Sequence, residues 1–96
     1  MTTTKQAYQE KLEAQLREVE AQIAKWRAEA RESQADARIE YEQQLTSLEQ
    51  QRDDLRAKLD AENKVGEGAW QDLKAGLEEA WHDLKNAVDD TAKRFR

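Results

Sequence analysis

Apolar side chains recur along the first two thirds of this chain in steps of three or four residues. The row runs Tyr8, Leu12, Leu16, Val19, Ile23, Trp26 and Ala30, then Ser33 and Ala37, then Tyr41, Leu45, Leu48, Arg52, Leu55 and Leu59. Fourteen steps cover 51 residues, a period of about 3.64, close to that of an α-helix and above the 3.5 of a strict heptad. Residues 1–65 contain no glycine and no proline. The pattern predicts one long amphipathic helix over 3–64, with Thr3 and Gln6 in capping-box spacing at its start. At 1.5 Å per residue such a rod is roughly 90 Å long. The row is thinnest at Ala30, Ser33 and Ala37, which leaves a second reading open: a turn near Ser33–Gln34 that gives a three-helix bundle. The unbroken phase and the absence of breakers favour the continuous rod.

The segment VGEG at 65–68 is the one clear interruption. Gly66 suits the left-handed position that ends a helix, and Gly66 with Gly68 makes a hinge. A second helix follows over 69–95. It carries a tandem repeat, AWQDLKAGLEE at 69–79 and AWHDLKNAVDD at 80–90. Eleven residues in three turns is about 3.67 per turn, straight to slightly right-handed. Trp70, Leu73, Leu77, Trp81, Leu84, Val88 and Phe95 fall within about 80° of arc at 100° per residue. Lys74 and Lys85 lie beside that arc, and Asp72, Glu79, Asp83 and Asp90 lie opposite it.

The expected fold is therefore all-α, a single helical domain: a long amphipathic helix, a glycine hinge, and a shorter helix folded back antiparallel as a coiled-coil-like hairpin. The shorter helix covers only about half of the longer one. The uncovered stripe of Tyr8, Leu12, Leu16, Val19, Ile23 and Trp26 then calls for a second copy, and a homo-oligomer, with a dimer favoured, is expected. The arc from Trp70 to Phe95 either packs on the first helix or faces lipid, because lysine stems can lie along an apolar boundary and indole rings favour the headgroup region.

Composition narrows the function more than it names one. Leu, Ile, Val and Phe make up about 16% of the chain, whereas Ala, Glu, Lys, Leu and Arg make up about 55%, the mark of long helices and coiled coils. With no proline and three glycines, the turn chemistry of an α/β enzyme is missing. A net charge of −5 argues against nucleic acid as a partner. There is no cysteine to build a disulfide or thiolate site. No apolar run approaches the roughly 20 residues of a membrane span, and the opening MTTTKQAYQEK lacks a signal-peptide core. A cytoplasmic protein is the expectation.

Candidate chemistry is sparse. His82 is the sole histidine and lies off the apolar arc near Glu78 and Asp89, too few convergent ligands for zinc. The pairs Asp53–Asp54, Glu78–Glu79 and Asp89–Asp90 point about 100° apart on a helix and do not converge on one substrate. No Ser, His and Asp set and no glycine-rich phosphate loop occurs. No catalytic residue, cofactor, metal or small-molecule substrate is expected.

The segments TKQAYQEKLEAQL, ADARIEYEQQLTSLEQQRDDLRAKL and GAWQDLKAGLEEAWHDLKNAV together resemble a family of small bacterial coiled-coil proteins of cyanobacteria and proteobacteria described as stress-response related. The eleven-residue repeat is also similar to repeats of exchangeable apolipoproteins and late-embryogenesis-abundant proteins. The resemblance implies a soluble helical protein tied to stress; the uninterrupted amphipathic pattern without any site points to a non-enzymatic protein acting through helix–helix self-association and shielding of other surfaces. The alternative function is reversible binding to a membrane surface through the Trp-containing helix at 69–95.

Arg52 interrupts the apolar row between Leu48 and Leu55. Polar residues at such positions can fix register or partner number at a cost in stability, but more often an arginine there bends its head out to solvent. Arg52→Leu is expected to raise the melting temperature and change the oligomeric state; calorimetry and sedimentation that show neither would remove the register role.

Overall fold

The computed structural model describes residues 4–62, Lys64 and 66–95. Three helices follow one another: α1 (Thr4–Glu32), α2 (Ala35–Glu62) and α3 (Glu67–Arg94). They run up, down and up in a body of 51 × 22 × 19 Å. The all-α expectation holds, and the continuous rod over 3–64 does not: the chain turns at Ser33–Gln34. Thr3, the expected start of the capping box, and Val65 of the expected hinge lie outside the described residues.

The turn needs neither glycine nor proline. The Ser33 N–H donates to the Ala30 carbonyl at 3.1 Å, a tightened last bond, and the Ser33 hydroxyl donates to the Glu29 carbonyl at 3.1 Å. Two carbonyls that α1 would leave unpaired are thereby satisfied. The Gln34 carbonyl accepts from the Arg38 N–H at 2.8 Å and opens α2, with Asp36 in the first turn where the helix dipole favours a negative charge. Among the described residues no φ is positive. What drives the turn is burial. A straight rod would leave its stripe in water, whereas folding sets Leu12, Leu16, Val19, Ile23 and Trp26 against Leu45, Leu48, Leu55 and Leu59 in one core. Each such side chain removed from water contributes about 1.5–3 kcal/mol.

The same burial corrects the expectation for the stripe from Tyr8 to Trp26. Leu12, Leu16, Val19, Ile23 and Trp26 are buried within one chain, and Tyr8 is half-buried against Trp70. The uncovered surface that called for a second copy is covered by α2 and α3. Arg52 does not enter the core. Its guanidinium turns to Asp53, with Nε at 3.0 Å and Nη2 at 2.9 Å from Oδ1, and lies 4.0 Å from Glu49.

Among the described residues from Glu10 onward, two ion pairs join α1 to α2, Arg27 with Glu49 and Arg56 with Glu20, the latter at 2.9 Å. Glu20 and Arg27 are seven residues apart on α1, as Glu49 and Arg56 are on α2, so the antiparallel pair exchanges its charges reciprocally. Aromatic contacts close both ends. Tyr8 meets Trp70 edge-on at 5.3 Å, with the Lys74 ammonium 5.5 Å from the Tyr8 ring. At the opposite end Phe95 stacks on Trp26 at 5.6 Å and meets Tyr41 at 4.4 Å.

The glycine readings also change. Gly66 is the N-cap of α3 with extended backbone, φ −76° and ψ 170°, not a left-handed helix end. Gly68 lies inside the first turn of α3, which begins at Glu67 and not at Ala69. Gly76 sits mid-helix, exposed, and a Cβ placed there meets nothing within 4 Å. Close approach of a neighbour does not require it, so its backbone freedom is a pure cost. Gly76→Ala should stabilise the bundle by about 0.5–1 kcal/mol, a rise of a few degrees in Tm by calorimetry. A fall would reveal an undetected contact at that site.

Candidate functional site: the seam between the first and third helices

The eleven-residue repeat is not the packing period of α3. Its equivalent positions fall in unequal surroundings: Trp70 is buried but Trp81 is half-buried, Leu84 is buried but Leu73 is half-buried, and Leu77 is buried but Val88 is half-buried. Full burial instead recurs every seven residues, at Trp70, Leu77, Leu84 and Thr91. That is the 3.5-residue spacing of a helix that keeps one seam against its neighbour.

The helices do not pack evenly. α1 packs extensively on α2 and α2 on α3, whereas α1 and α3 meet only sparsely. Side-chain size on the two flanks of α3 accounts for this. Toward α2 it turns Ala80 and Ala87, which line grooves shared with Gln51, Asp54 and Lys58 or with Gln44 and Leu48. Small residues let the two backbones approach. Toward α1 it turns Trp81, Lys85 and Val88, which stand off from Gln15, Val19, Gln22 and Lys25. The bulky flank leaves an open groove of about 600 Å³ along the α1–α3 seam.

The floor of this groove is apolar, formed by Val19, Trp81 and Val88, and Glu18, Lys25 and Lys85 stand along its sides. Lys25 and Lys85 form no ion pair with the described residues. Their stems can lie along the apolar floor while the ammonium groups stay in water. Of the seven expected arc residues, Trp70, Leu77 and Leu84 are consumed by packing, Leu73 is half-buried, and Phe95 closes the end of the bundle. Trp81 and Val88 are the two that the structure brings to the groove.

Sequence reasoning passed over Gln44 and Thr91. Thr91 is 1% exposed; its hydroxyl donates to the Ala87 carbonyl at 2.8 Å and accepts from Gln44 Nε2 at 3.2 Å. The signal was present as a seven-residue step from Leu84, hidden because Val88 and Phe95 were read as the next apolar positions. Among the described residues no cluster of three or more His, Cys, Asp or Glu side chains could hold a metal ion. His82 is exposed on α3. No described helix is long and apolar enough to cross a membrane.

The geometry orders the three tryptophans by access to solvent. Trp26 and Trp70 are each 5% exposed, while Trp81 borders the groove. With the other two replaced by phenylalanine, acrylamide is expected to quench Trp81 more strongly than Trp26 or Trp70; equal quenching would mean that the seam is closed. No protein-family model, no curated protein and no solved structure matches the chain.

Proposed function

We propose that this protein is a non-enzymatic helical bundle that works by contact, laying the α1–α3 seam and the apolar flank of α3 on a phospholipid surface in a reversible way. The observation that carries this reading is Trp81 at the floor of an apolar groove with Lys25 and Lys85 on its sides. An indole ring placed between lysines suits the headgroup level of a bilayer, with the ammonium groups near lipid phosphates. The stripes of α1 and α2 are spent on the core, and α3 offers the half-buried Trp81 and Val88 at the seam. The carboxylates Asp72, Glu79, Asp83 and Asp90, opposite the arc, stay in water when α3 lies flat. A cytoplasmic location and a role in stress go with this reading; the second rests on the family resemblance of the three quoted segments.

Self-association with shielding of other proteins keeps one supporting observation. Ile39 is 57% exposed, beside Arg27, Glu42, Gln43 and Thr46 on the α1–α2 flank. A second copy covering that flank would bury it, and a bacterial homodimer of this kind is the competing proposal.

Titration with vesicles separates the two. A chain with Trp81 as its only tryptophan should shift its emission to the blue with vesicles containing anionic lipid, and less with purely zwitterionic ones. Replacing Lys25 and Lys85 by glutamine should weaken binding about thirtyfold at low salt, at about 1 kcal/mol per lysine. No shift with either vesicle, together with concentration-dependent sedimentation in their absence, would overturn the lipid reading in favour of self-association.

A further inference from the structure

The seven-residue seam of α3 is apolar at Trp70, Leu77 and Leu84 and polar at Thr91. Across from Thr91 stands Gln44, whose Nε2 donates to the threonine hydroxyl at 3.2 Å. Thr91 is satisfied, because the same hydroxyl donates to the Ala87 carbonyl at 2.8 Å. Gln44 is not: its Oε1 is buried and has no hydrogen-bond partner. Turning the amide over would offer Oε1 the hydroxyl proton, but it would strand the amide nitrogen and take the donor from Ala87. In either orientation one polar end lacks a protein partner while α3 is docked.

The rest of the fold concentrates its clamps elsewhere. From Glu10 onward, the ion pairs between helices of the described residues join α1 to α2. Among the described residues from Glu10 onward, the ion pair on α3, Lys74 with Glu78, lies within that helix. Contact between α1 and α3 is sparse. Gly66, the N-cap at the entry to α3, accepts from the Ala69 N–H at 3.2 Å and has nothing within 4 Å of where a Cβ would stand. Against release stand the stacking of Phe95 on Trp26, its tilted contact with Tyr41 and the edge-on contact of Tyr8 with Trp70.

We infer that the Gln44–Thr91 pair is a built-in weak point that lets α3 leave a persistent α1–α2 hairpin. The bundle stays closed because its apolar seam and aromatic ends outweigh one orphaned amide, but the closed state is held less firmly than an apolar pair would hold it. This deepens the reading of α3 as the contact helix and rests on it for its purpose. The release itself is measured without any lipid, so its failure is distinct from a failure to bind vesicles.

Native-state amide hydrogen exchange on the full chain tests it. Amides over 81–94 should exchange through an opening at least about tenfold more populated than the one that exposes the centres of α1 and α2. Gln44→Met keeps the length of the side chain and removes the orphaned group; it should lower the α3 opening constant about tenfold, the size expected for one unsatisfied buried polar group. Thr91→Val takes away the partner of the Gln44 amide and should raise it. A single opening constant shared by all three helices would overturn the inference. So would an α3 opening that Gln44→Met leaves unchanged or increases.

Discussion

Each helix of this chain is apolar along one flank and charged on the others, and the need to bury that flank governs the fold. A row of leucines in water is costly, and a single straight helix cannot hide its own row. Turning at Ser33–Gln34 sets the first half of the row against the second, so two flanks are buried at once. α2 then serves as the shared wall, extensively packed on both neighbours. The charged residues follow from this placement. Arg27, Glu49, Glu20 and Arg56 stand at the margins of the α1–α2 contact with their side chains part-exposed, where ion pairs cost little desolvation and contribute modestly.

α3 answers the same constraint with different means. Its α2 side is small, at Ala80 and Ala87, and its α1 side is bulky, at Trp81 and Val88. The helix is therefore drawn to one neighbour and held off from the other. Tyr8 with Trp70 and Phe95 with Trp26 bridge the gap at its ends, and the groove lies between those bridges. The site is a by-product of uneven side-chain size along one helix, with two lysines supplying its charge.

Much of this was legible in the residues. The spacing of Leu12, Leu16, Val19, Ile23 and Trp26 marks a helix flank, and each of those side chains is buried. The all-α fold followed from it, and so did a helix over most of 69–95. The turn at Ser33 was legible only as a thinning of the row. A mean period of 3.64 averaged over it, and the steps from Leu16 to Ala37 carry the row across the turn without a change of beat. No local breaker marks the place because Ser33 satisfies the helix end with its own hydroxyl. The groove was legible in its residues, Trp81 and Val88, but not in its position. Which side of α3 faces α2 depends on how three helices meet, and sequence spacing on one helix does not contain that. The eleven-residue repeat misled for the same reason: it is a likeness between two sequence segments, whereas burial records what each copy packs against.

The reciprocal charges on α1 and α2 have a consequence for misalignment. With Glu20 facing Arg56 and Arg27 facing Glu49, leucines could still meet leucines if one helix slid past the other by two turns, since the apolar seam nearly repeats every seven residues. The charges treat the two slips differently. One carries Arg27 to Arg56 and confronts like with like. The other carries Glu20 to Glu49 but also Arg27 to Glu42 and Arg56 to Glu13, so its repulsion is offset. Side chains that add little to stability thus weigh against one of the two neighbouring alignments of the monotonous leucine rows, and the short connection at Ser33–Gln34 is left to exclude the other.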